Sequence, residues 1–289
     1  MKEKVMRIIF LLAACTSILA VVLICLFLFA NGIPAIGKIG VLKFLTGTTW
    51  KPNNNLYGIF PMIIGSLYVT AGAMIFGIPI GILTAVYMVF YCPKHLYKIL
   101  KPATELLAGI PSVVYGFFGL VVMVPFVRSI GKAVASVSNI KGGNGSSILT
   151  ASIILGMMIL PSIIGVTESS LRAVPSPYYE GAVGLGATHE RAIFKTVIPA
   201  AKSGVLAGVV LGIGRAIGET MAVIMIAGNQ PRLTGNIFKG IRTMTANIVI
   251  EMGYATDLHR QALIATGVVL FVFILLINLA VAVLKERGE

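Results

Sequence analysis

The feature that most constrains this chain is a set of six long apolar stretches. A helix needs about 20 residues to cross the hydrocarbon core of a membrane, and each stretch reaches that length. Hydrophobic residues make up 57% of the chain and charged residues 11%, against roughly 25% charge in soluble domains. We therefore predict an all-α integral membrane protein with six transmembrane helices, and we exclude a soluble enzyme and a disulfide-stabilised secreted domain. The predicted spans are residues 8–30, 61–91, 106–127, 148–168, 203–228 and 262–284.

The loops between these spans carry most of the formal net charge of +13 and predict the orientation of the chain. With the N-terminus inside, the cytosolic segments hold 12 Lys and Arg in 60 residues, and the external segments hold 10 in 83. Because cytosolic loops are enriched in Lys and Arg, we predict a cytoplasmic N-terminus. The external segments contain only two acidic residues, so they would concentrate anions at the outer face.

The sequence shows no pattern of catalytic or metal-ligating residues. Its three histidines lie in three different loops, and its three cysteines have no spacing typical of a metal site. A Gly-x4-Gly-Lys segment at 32–38 is followed by Ile39, where a phosphate-binding loop requires a hydroxyl group. We therefore predict a non-catalytic chain with no metal ion and no cofactor of its own. We expect its basic residues to contact lipid headgroups, and we expect no nucleic-acid partner.

Two charged residues lie inside the fifth apolar span, Arg215 near its middle and Glu219 one helical turn later. A charge at bilayer depth costs at least ~2.5 kcal/mol on insertion scales, whereas opposite charges four residues apart share a helix face and offset each other. Such a pair is a functional candidate, although an ion pair that only holds helices together is the structural alternative. The arginine fork suits a tetrahedral oxyanion, and the glutamate favours one that still carries a proton.

The same span carries small residues at intervals of four. Such a stripe lets a second helix approach closely, so we expect one face to pack and the neighbouring face to present the two charges. On the external side, apolar residues recur at helical spacing between 237 and 248, which predicts that residues 232–257 form an amphipathic segment at the outer interface. The small residues of the stripe are Gly204, Gly208, Gly212 and Ala216.

The segment between the fourth and fifth spans, residues 169–202, has a pattern of its own. Two prolines restrict the start of a helix, Gly184 and Gly186 interrupt it, and apolar residues resume at 192–198. We predict two short helices joined by a glycine turn on the cytosolic side. The pattern alone leaves an ordinary amphipathic loop equally open.

This segment resembles the cytoplasmic loop signature of ABC importer permeases, which reads Glu-Ala-Ala, then a glycine four positions on, then Leu-Pro. Gly181 stands where Ala is usual, Thr196 where Ile is usual and Ile198 where Leu is usual. In that family the loop docks into a cleft on an ATPase subunit, and the resemblance implies the same role here. The coupling residues it implies are Glu180, Gly181, Ala182, Gly186 and Pro199.

Further segments resemble the phosphate branch of the type I, binding-protein-dependent importer permeases. The likeness covers nearly the whole chain, and it implies one permease domain over 1–289 in a bacterial or archaeal plasma (inner) membrane. It implies a path for inorganic phosphate between this chain and a second permease subunit. It also implies two ATPase subunits, which bind ATP and Mg²⁺, and an external phosphate-binding protein. The segments are 44–61, 105–116, 214–220 and 243–247.

The resemblance also assigns residues to the substrate path. Arg215 and Glu219 match the charged positions of the family, and four residues of the third external segment would line an outer gate. Two residues beside the Pro111 break are weaker candidates. The path residues are Arg215, Glu219, Thr220, Arg242, Thr243, Thr245 and Asn247, and the weaker candidates are Ser112 and Tyr115.

Other functions stay open at this point. One Arg–Glu pair does not fix the anion, so sulfate, molybdate and phosphonate are alternative substrates. A secondary transporter or channel would use Arg215 and Glu219 as a proton relay, although the inverted repeats common in that class are not visible. A structural scaffold would use the pair only to set helix register, and neutralising both charges would then leave function intact.

Overall fold

The computed structural model describes residues 2–137 and 142–286 and is built almost entirely of helices. Single π-helical turns extend or interrupt the helices at Tyr87–Tyr91, Gly119–Met123 and Ile193–Val197. One short antiparallel hairpin, β1 (Trp50–Lys51) with β2 (Leu56–Tyr57), follows the second helix. The helices are α1 Lys2–Ile39, α2 Val41–Thr46, α3 Phe60–Val86, α4 Lys94–Gly109, α5 Ser112–Phe118, α6 Val124–Val137, α7 Ile148–Arg172, α8 Ser176–Gly184, α9 His189–Ala192, α10 Ile198–Ala200, α11 Lys202–Gly218, α12 Met221–Ile226, α13 Met244–Met252 and α14 Asp257–Glu286.

Five helices of the described chain are long and apolar enough to cross a membrane, and a bent helix pair supplies a sixth candidate. The pair consists of His189–Ala200 and Lys202–Gly218, which meet at 72°. The five single candidates are Lys4–Ile39, Phe60–Tyr91, Ser112–Val137, Ile148–Arg172 and Asp257–Ala280.

The third span differs from the prediction of a helix over 106–127. Helix α4 ends at Gly109, and a new helix begins at Ser112 and continues to Val137. Pro111 causes the shift, because the residue before a proline is driven out of the helical region, and Ile110 accordingly has ψ 125°.

The fifth span also differs, since a continuous helix over 203–228 is wrong. Helix α11 ends at Gly218, Glu219 is extended with φ −69° and ψ 127°, and α12 begins at Met221. No proline marks this break in the sequence. The physical reason is local, because Glu219 Oε1 accepts from the N–H groups of Thr220, the N-cap residue of α12, and of Ala222 in its first turn, and so favours a fresh helix start.

Helix α7 forms the centre of the molecule. In the most apolar stretch of α7, 67% of the residues are buried inside the protein, whereas no residue of the most apolar stretch of α1 is buried. Helix α11 packs on α7 through the predicted small-residue stripe: a Cβ atom built on Gly208 would lie 3.2 Å from Val166 Cβ, and one on Gly212 would lie 3.0 Å from Ile163 Cδ1. Helix α3 covers another side of α7, and α1 packs mainly along α14.

The chain before α13 is irregular, which corrects the amphipathic interfacial segment predicted over 232–257. Within that segment only α13 is helical before α14 begins. Phe238 and Ile241 are buried inside the protein, because the backbone of this segment pairs with the start of α7: Ile148 N donates to Lys239 O at 3.1 Å. Ile237 is 49% exposed and Met244 is buried at the start of α13, so the spacing of these apolar residues does not mark one amphipathic helix.

The packing of α11 on α7 yields a stability prediction. Gly208→Leu places a side chain where α7 leaves no room, so we expect overpacking to cost about 1–3 kcal/mol, measured as a lower thermal unfolding temperature of the detergent-purified chain. Gly165→Leu on α7 is the matched control, because nothing lies within 4 Å of a Cβ atom built there. Equal destabilisation by both changes would contradict this packing.

Candidate translocation path

The break between α11 and α12 is held by its own side chains. Glu219 Oε1 accepts hydrogen bonds from the backbone N–H groups of Thr220 at 3.2 Å and Ala222 at 3.4 Å. Thr220 Oγ1 donates to the Gly218 carbonyl at 3.1 Å. Both side chains are half-buried. The carboxylate that the sequence assigns to the path therefore also satisfies the backbone at this break.

Arg215 lies on α11, one turn before the break, and is half-buried. The ion pair predicted between Arg215 and Glu219 is absent, since neither side chain takes part in any ion pair of the described residues. The reason is that α11 ends before Glu219, so the two residues do not share a helix face. The guanidinium group of Arg215 consequently has no carboxylate of the described chain within ion-pair distance.

One face of α11 and α12 is not covered by α7. Leu211 and Met221 are 57% and 45% exposed, and Gly218 between them is also exposed. Arg215 is next to this face. Because large exposed apolar side chains in a row mark an interaction surface, this face has the features expected of a contact with lipid or with another subunit.

A cluster of hydroxyl groups lies beside the break. Thr245 Oγ1 donates to the Glu219 carbonyl at 3.3 Å and is 3.1 Å from Thr243 Oγ1. Ser66 Oγ on α3 accepts from Met244 N at 3.0 Å. Ser66, Thr70, Thr243 and Glu219 line one narrow crevice. Sequence reasoning assigned Thr243 and Thr245 to the path but missed Ser66 and Thr70, whose only signal is their spacing of four within an apolar helix.

Arg242 is held in a buried polar network. Its Nε donates to the Asn229 carbonyl at 3.0 Å, and one terminal nitrogen donates both to Asn247 Oδ1 at 3.0 Å and to Glu251 Oε1. Glu251 Oε2 in turn accepts from Trp50 Nε1 at 2.8 Å and lies 2.8 Å from His259 Nε2. The predicted path residues Arg242 and Asn247 thus make internal contacts. Sequence reasoning missed Glu251, Trp50 and His259 as partners.

The two weaker candidates lie at the Pro111 break. Tyr115 is buried, and its hydroxyl donates to the Leu107 carbonyl at 2.9 Å. This bond ties α5 back to the last turns of α4 across the break. Ser112 is half-buried at the start of α5.

The 169–202 segment contains two short helical pieces joined by a turn at Gly186. Gly186 has φ +89°, its N–H donates to the Val183 carbonyl, and the next N–H donates to the Ala182 carbonyl, which is the glycine-terminated helix end known as the Schellman motif. Tyr179 and His189 join the two pieces at 2.8 Å. Of the residues assigned to coupling, Ala182 is half-buried, and the exposed ones are Glu180, Gly181, Gly186 and Pro199.

A buried carboxylate ties α4 to the same end of the molecule. Glu168 on α7 accepts hydrogen bonds from Tyr97 at 2.6 Å, Lys101 at 3.0 Å and Arg172 at 3.0 Å. These contacts raise the pKa of Lys101, first because its ammonium group donates to Glu168, and they raise the pKa of Tyr97 for the same reason. Sequence reasoning missed this cluster, whose only signal is a glutamate at the end of an apolar span.

Comparison with known proteins defines the class. Residues 77–287 match the family described as the binding-protein-dependent transport system inner membrane component, and the chain belongs to this family. It is 36% identical over 287 residues to the probable ABC transporter permease protein YqgH of Bacillus subtilis, covering 96% of this chain and 90% of the relative. It is 37% identical over 266 residues to the phosphate transport system permease protein PstC of Mesorhizobium japonicum, covering 88% and 81%.

Solved structures support the fold. A chain of the inward-facing MetNI methionine ABC transporter matches with a TM-score of 0.62 and 19% identity, over 83% of this chain and all of that one. A chain of a bacterial alginate ABC transporter matches with a TM-score of 0.59 and 18% identity, over 96% and 94%. The predicted fold class, an all-α type I ABC importer permease, is confirmed. The chain is a multi-pass membrane protein of a transport permease family.

The Glu168 cluster yields a prediction about α4. Glu168→Gln weakens hydrogen bonds to two cationic groups, so we expect α4 to loosen at a cost of about 1.5–3 kcal/mol, measured as faster amide hydrogen exchange over 94–109. Glu105→Gln is the control, because Glu105 is exposed, its pair with Lys101 spans 3.7 Å, and exposed pairs contribute about 0–1 kcal/mol. The account of this cluster fails if exchange over 94–109 responds equally to both changes.

Proposed function

We propose that this chain is the permease subunit of an ATP-driven importer of inorganic phosphate and forms half of its translocation path. The observation that carries the proposal is that Arg215 has no ion-pair partner among the described residues and lies at the edge of an uncovered helix face, beside a broken helix. The relatives named as phosphate transport permeases support phosphate as the substrate.

The chemistry of the break suits an oxyanion. Arginine presents several N–H donors in a planar fork that matches the oxygens of a tetrahedral anion. Glu219 lies at the same break, so its charge repels a fully deprotonated anion, whereas a protonated anion can donate a hydrogen bond to it. Phosphate near neutral pH still carries a proton and sulfate does not, so this arrangement favours phosphate.

The uncovered face of α11 and α12 is where we place the second permease subunit. A path between the two subunits passes Arg215, so that its guanidinium group faces the substrate. Helix α7 packs against the opposite side of α11. We place the N-terminus in the cytoplasm, the 169–202 segment against one of two ATPase subunits that bind ATP and Mg²⁺, and an external phosphate-binding protein at the opposite end. We propose no catalytic role for this chain.

The exposed apolar side chains of the 169–202 segment support its docking role. Leu185, at the glycine turn, is 92% exposed, and Tyr178, Val183 and Phe194 are each between 42% and 53% exposed. Side chains of this kind are stabilised when a partner covers them. Glu180 and Pro199 belong to the same segment and are also exposed.

Transport of labelled phosphate tests the role of Arg215. In cells that lack the native chain, we expect Arg215→Gln at matched membrane levels to lower phosphate uptake by about 10- to 100-fold, because a charge-assisted hydrogen bond to the anion is lost. Arg260→Gln, at an exposed arginine outside the path, is the matched control and should retain uptake. Unlabelled sulfate and molybdate should not compete. Unchanged uptake in Arg215→Gln would exclude the residue from the path, and competition by sulfate would reassign the substrate.

Association with the ATPase subunit tests the coupling residues. Gly186→Val forces a β-branched residue into positive φ, at a cost of about 1–3 kcal/mol, and so distorts the turn that presents Leu185. We expect less ATPase subunit to copurify with this variant. Gly184→Val is the control, because Gly184 is exposed and has no positive φ. Equal recovery of the ATPase subunit with both variants would contradict the docking assignment.

A further inference from the structure

Helix α4 is held to the rest of the molecule along one side only. Tyr97 and Lys101 donate hydrogen bonds to Glu168 on α7, and the hydroxyl of Tyr115 on α5 donates to the Leu107 carbonyl. None of the 16 residues of α4 is buried. The sides of the helix that face away from α7 are therefore open in the described chain.

The open part of α4 divides into an apolar face and a cationic edge. Ile99 and Leu106 are 67% and 73% exposed, and with Ala103 they recur at intervals of four and three, so the three share one helix face. Lys94 and Lys98 are four residues apart and share a different face. Neither lysine takes part in an ion pair of the described residues. This division is typical of a helix that lies in the plane of a membrane interface.

The position of α4 in the chain places it at the level of the lipid headgroups. Two residues separate it from the candidate span Phe60–Tyr91 before it, and two separate it from the candidate span Ser112–Val137 after it. Both ends of α4 therefore adjoin the same surface of the membrane. Tyr87 and Tyr91, in the last turn of the first span, are each 40% exposed, and exposed tyrosines of this kind are enriched where a span meets the headgroups.

The charged groups on and against α4 leave a positive balance at its surface. The helix carries one carboxylate, Glu105, which lies 3.7 Å from Lys101. The carboxylate that α7 contributes, Glu168, is buried and already accepts from two cationic groups and a hydroxyl. Lys94 and Lys98 are exposed and can reach a further anion. Lysines beside a membrane span are attracted to the phosphate groups of anionic lipids.

We propose that α4 is an interfacial helix whose Lys94 and Lys98 bind the phosphate groups of anionic phospholipids. Its apolar face enters the edge of the hydrocarbon region, and the two ammonium groups lie at the level of the headgroups. Lipids bound there hold α4 against α7 and, through the bond from Tyr115, against the start of α5. The inference does not depend on the transported substrate, because it requires only that the chain lie in a membrane.

Amide hydrogen exchange of the purified transporter in lipid nanodiscs tests the binding step. The nanodiscs contain phosphatidylcholine alone or phosphatidylcholine mixed with anionic phosphatidylglycerol, and the readout is exchange over 94–109. We expect the anionic lipid to slow this exchange by about tenfold or more, and we expect Lys94→Gln/Lys98→Gln to abolish the difference between the two lipid compositions.

The matched control is Lys51→Gln/Lys132→Gln, which removes two exposed lysines at the other end of the molecule. This variant should retain the difference between the two lipid compositions. If phosphatidylglycerol does not slow exchange in the native protein, or if both double variants lose the effect equally, the proposal is overturned.

A further arm of the experiment separates lipid from free phosphate, since both present the same chemical group. Inorganic phosphate added to nanodiscs of phosphatidylcholine should slow exchange over 94–109 no more than sodium chloride does at equal ionic strength. Specific slowing by inorganic phosphate would assign the two lysines to a soluble anion and would contradict the lipid site.

The apolar face is tested by Ile99→Gln, which keeps a good helix former at this position and removes the apolar side chain. We expect exchange over 94–109 to quicken about tenfold in both lipid compositions, with the other subunits still copurifying. Leu233→Gln, at an exposed apolar residue before α13, is the control and should leave this exchange unchanged. Loss of a second permease subunit from the Ile99→Gln complex would show that protein covers this face, and that result would overturn the proposal.

Discussion

A helix that breaks inside a membrane must satisfy its freed backbone groups without water, and this constraint governs the centre of the molecule. At the break between α11 and α12, Glu219 accepts from two backbone N–H groups and Thr220 donates to a freed carbonyl. Thr245 reaches the Glu219 carbonyl from α13. The backbone at the break requires hydrogen-bond acceptors, and this requirement explains a carboxylate at this depth. The negative charge of Glu219 then lies where a substrate would pass.

The packing around this break decides which side is available. The glycine stripe of α11 lies against α7, so the opposite side of α11 is left without a cover from this chain. Arg215 lies at the edge of that side with no carboxylate partner in the described chain. The proton-relay alternative required an Arg215–Glu219 pair, and the structure does not contain that pair. An uncompensated cation is instead suited to bind an anion that arrives and leaves.

Local patterns in the sequence were enough to predict much of this architecture. Apolar runs predicted a membrane protein, the small-residue stripe predicted the packed face of α11, and Gly186 predicted a turn. The break at Glu219 was not predictable in the same way, because it depends on a side chain that caps its own following helix. The network of Trp50, Arg242, Glu251 and His259 was also beyond the sequence, because it joins residues up to 209 positions apart, and no spacing rule connects them.

The most direct test of the central claim, that Arg215 binds the transported anion, is a cryo-electron microscopy structure of the assembled transporter with phosphate trapped inside. An ATPase subunit that binds ATP but cannot hydrolyse it would hold the complex in one state. We predict density for the anion at hydrogen-bond distance, about 2.7–3.2 Å, from the guanidinium group of Arg215 on the uncovered face of α11. Anion density elsewhere, with Arg215 paired to a carboxylate of the second permease subunit, would contradict the account.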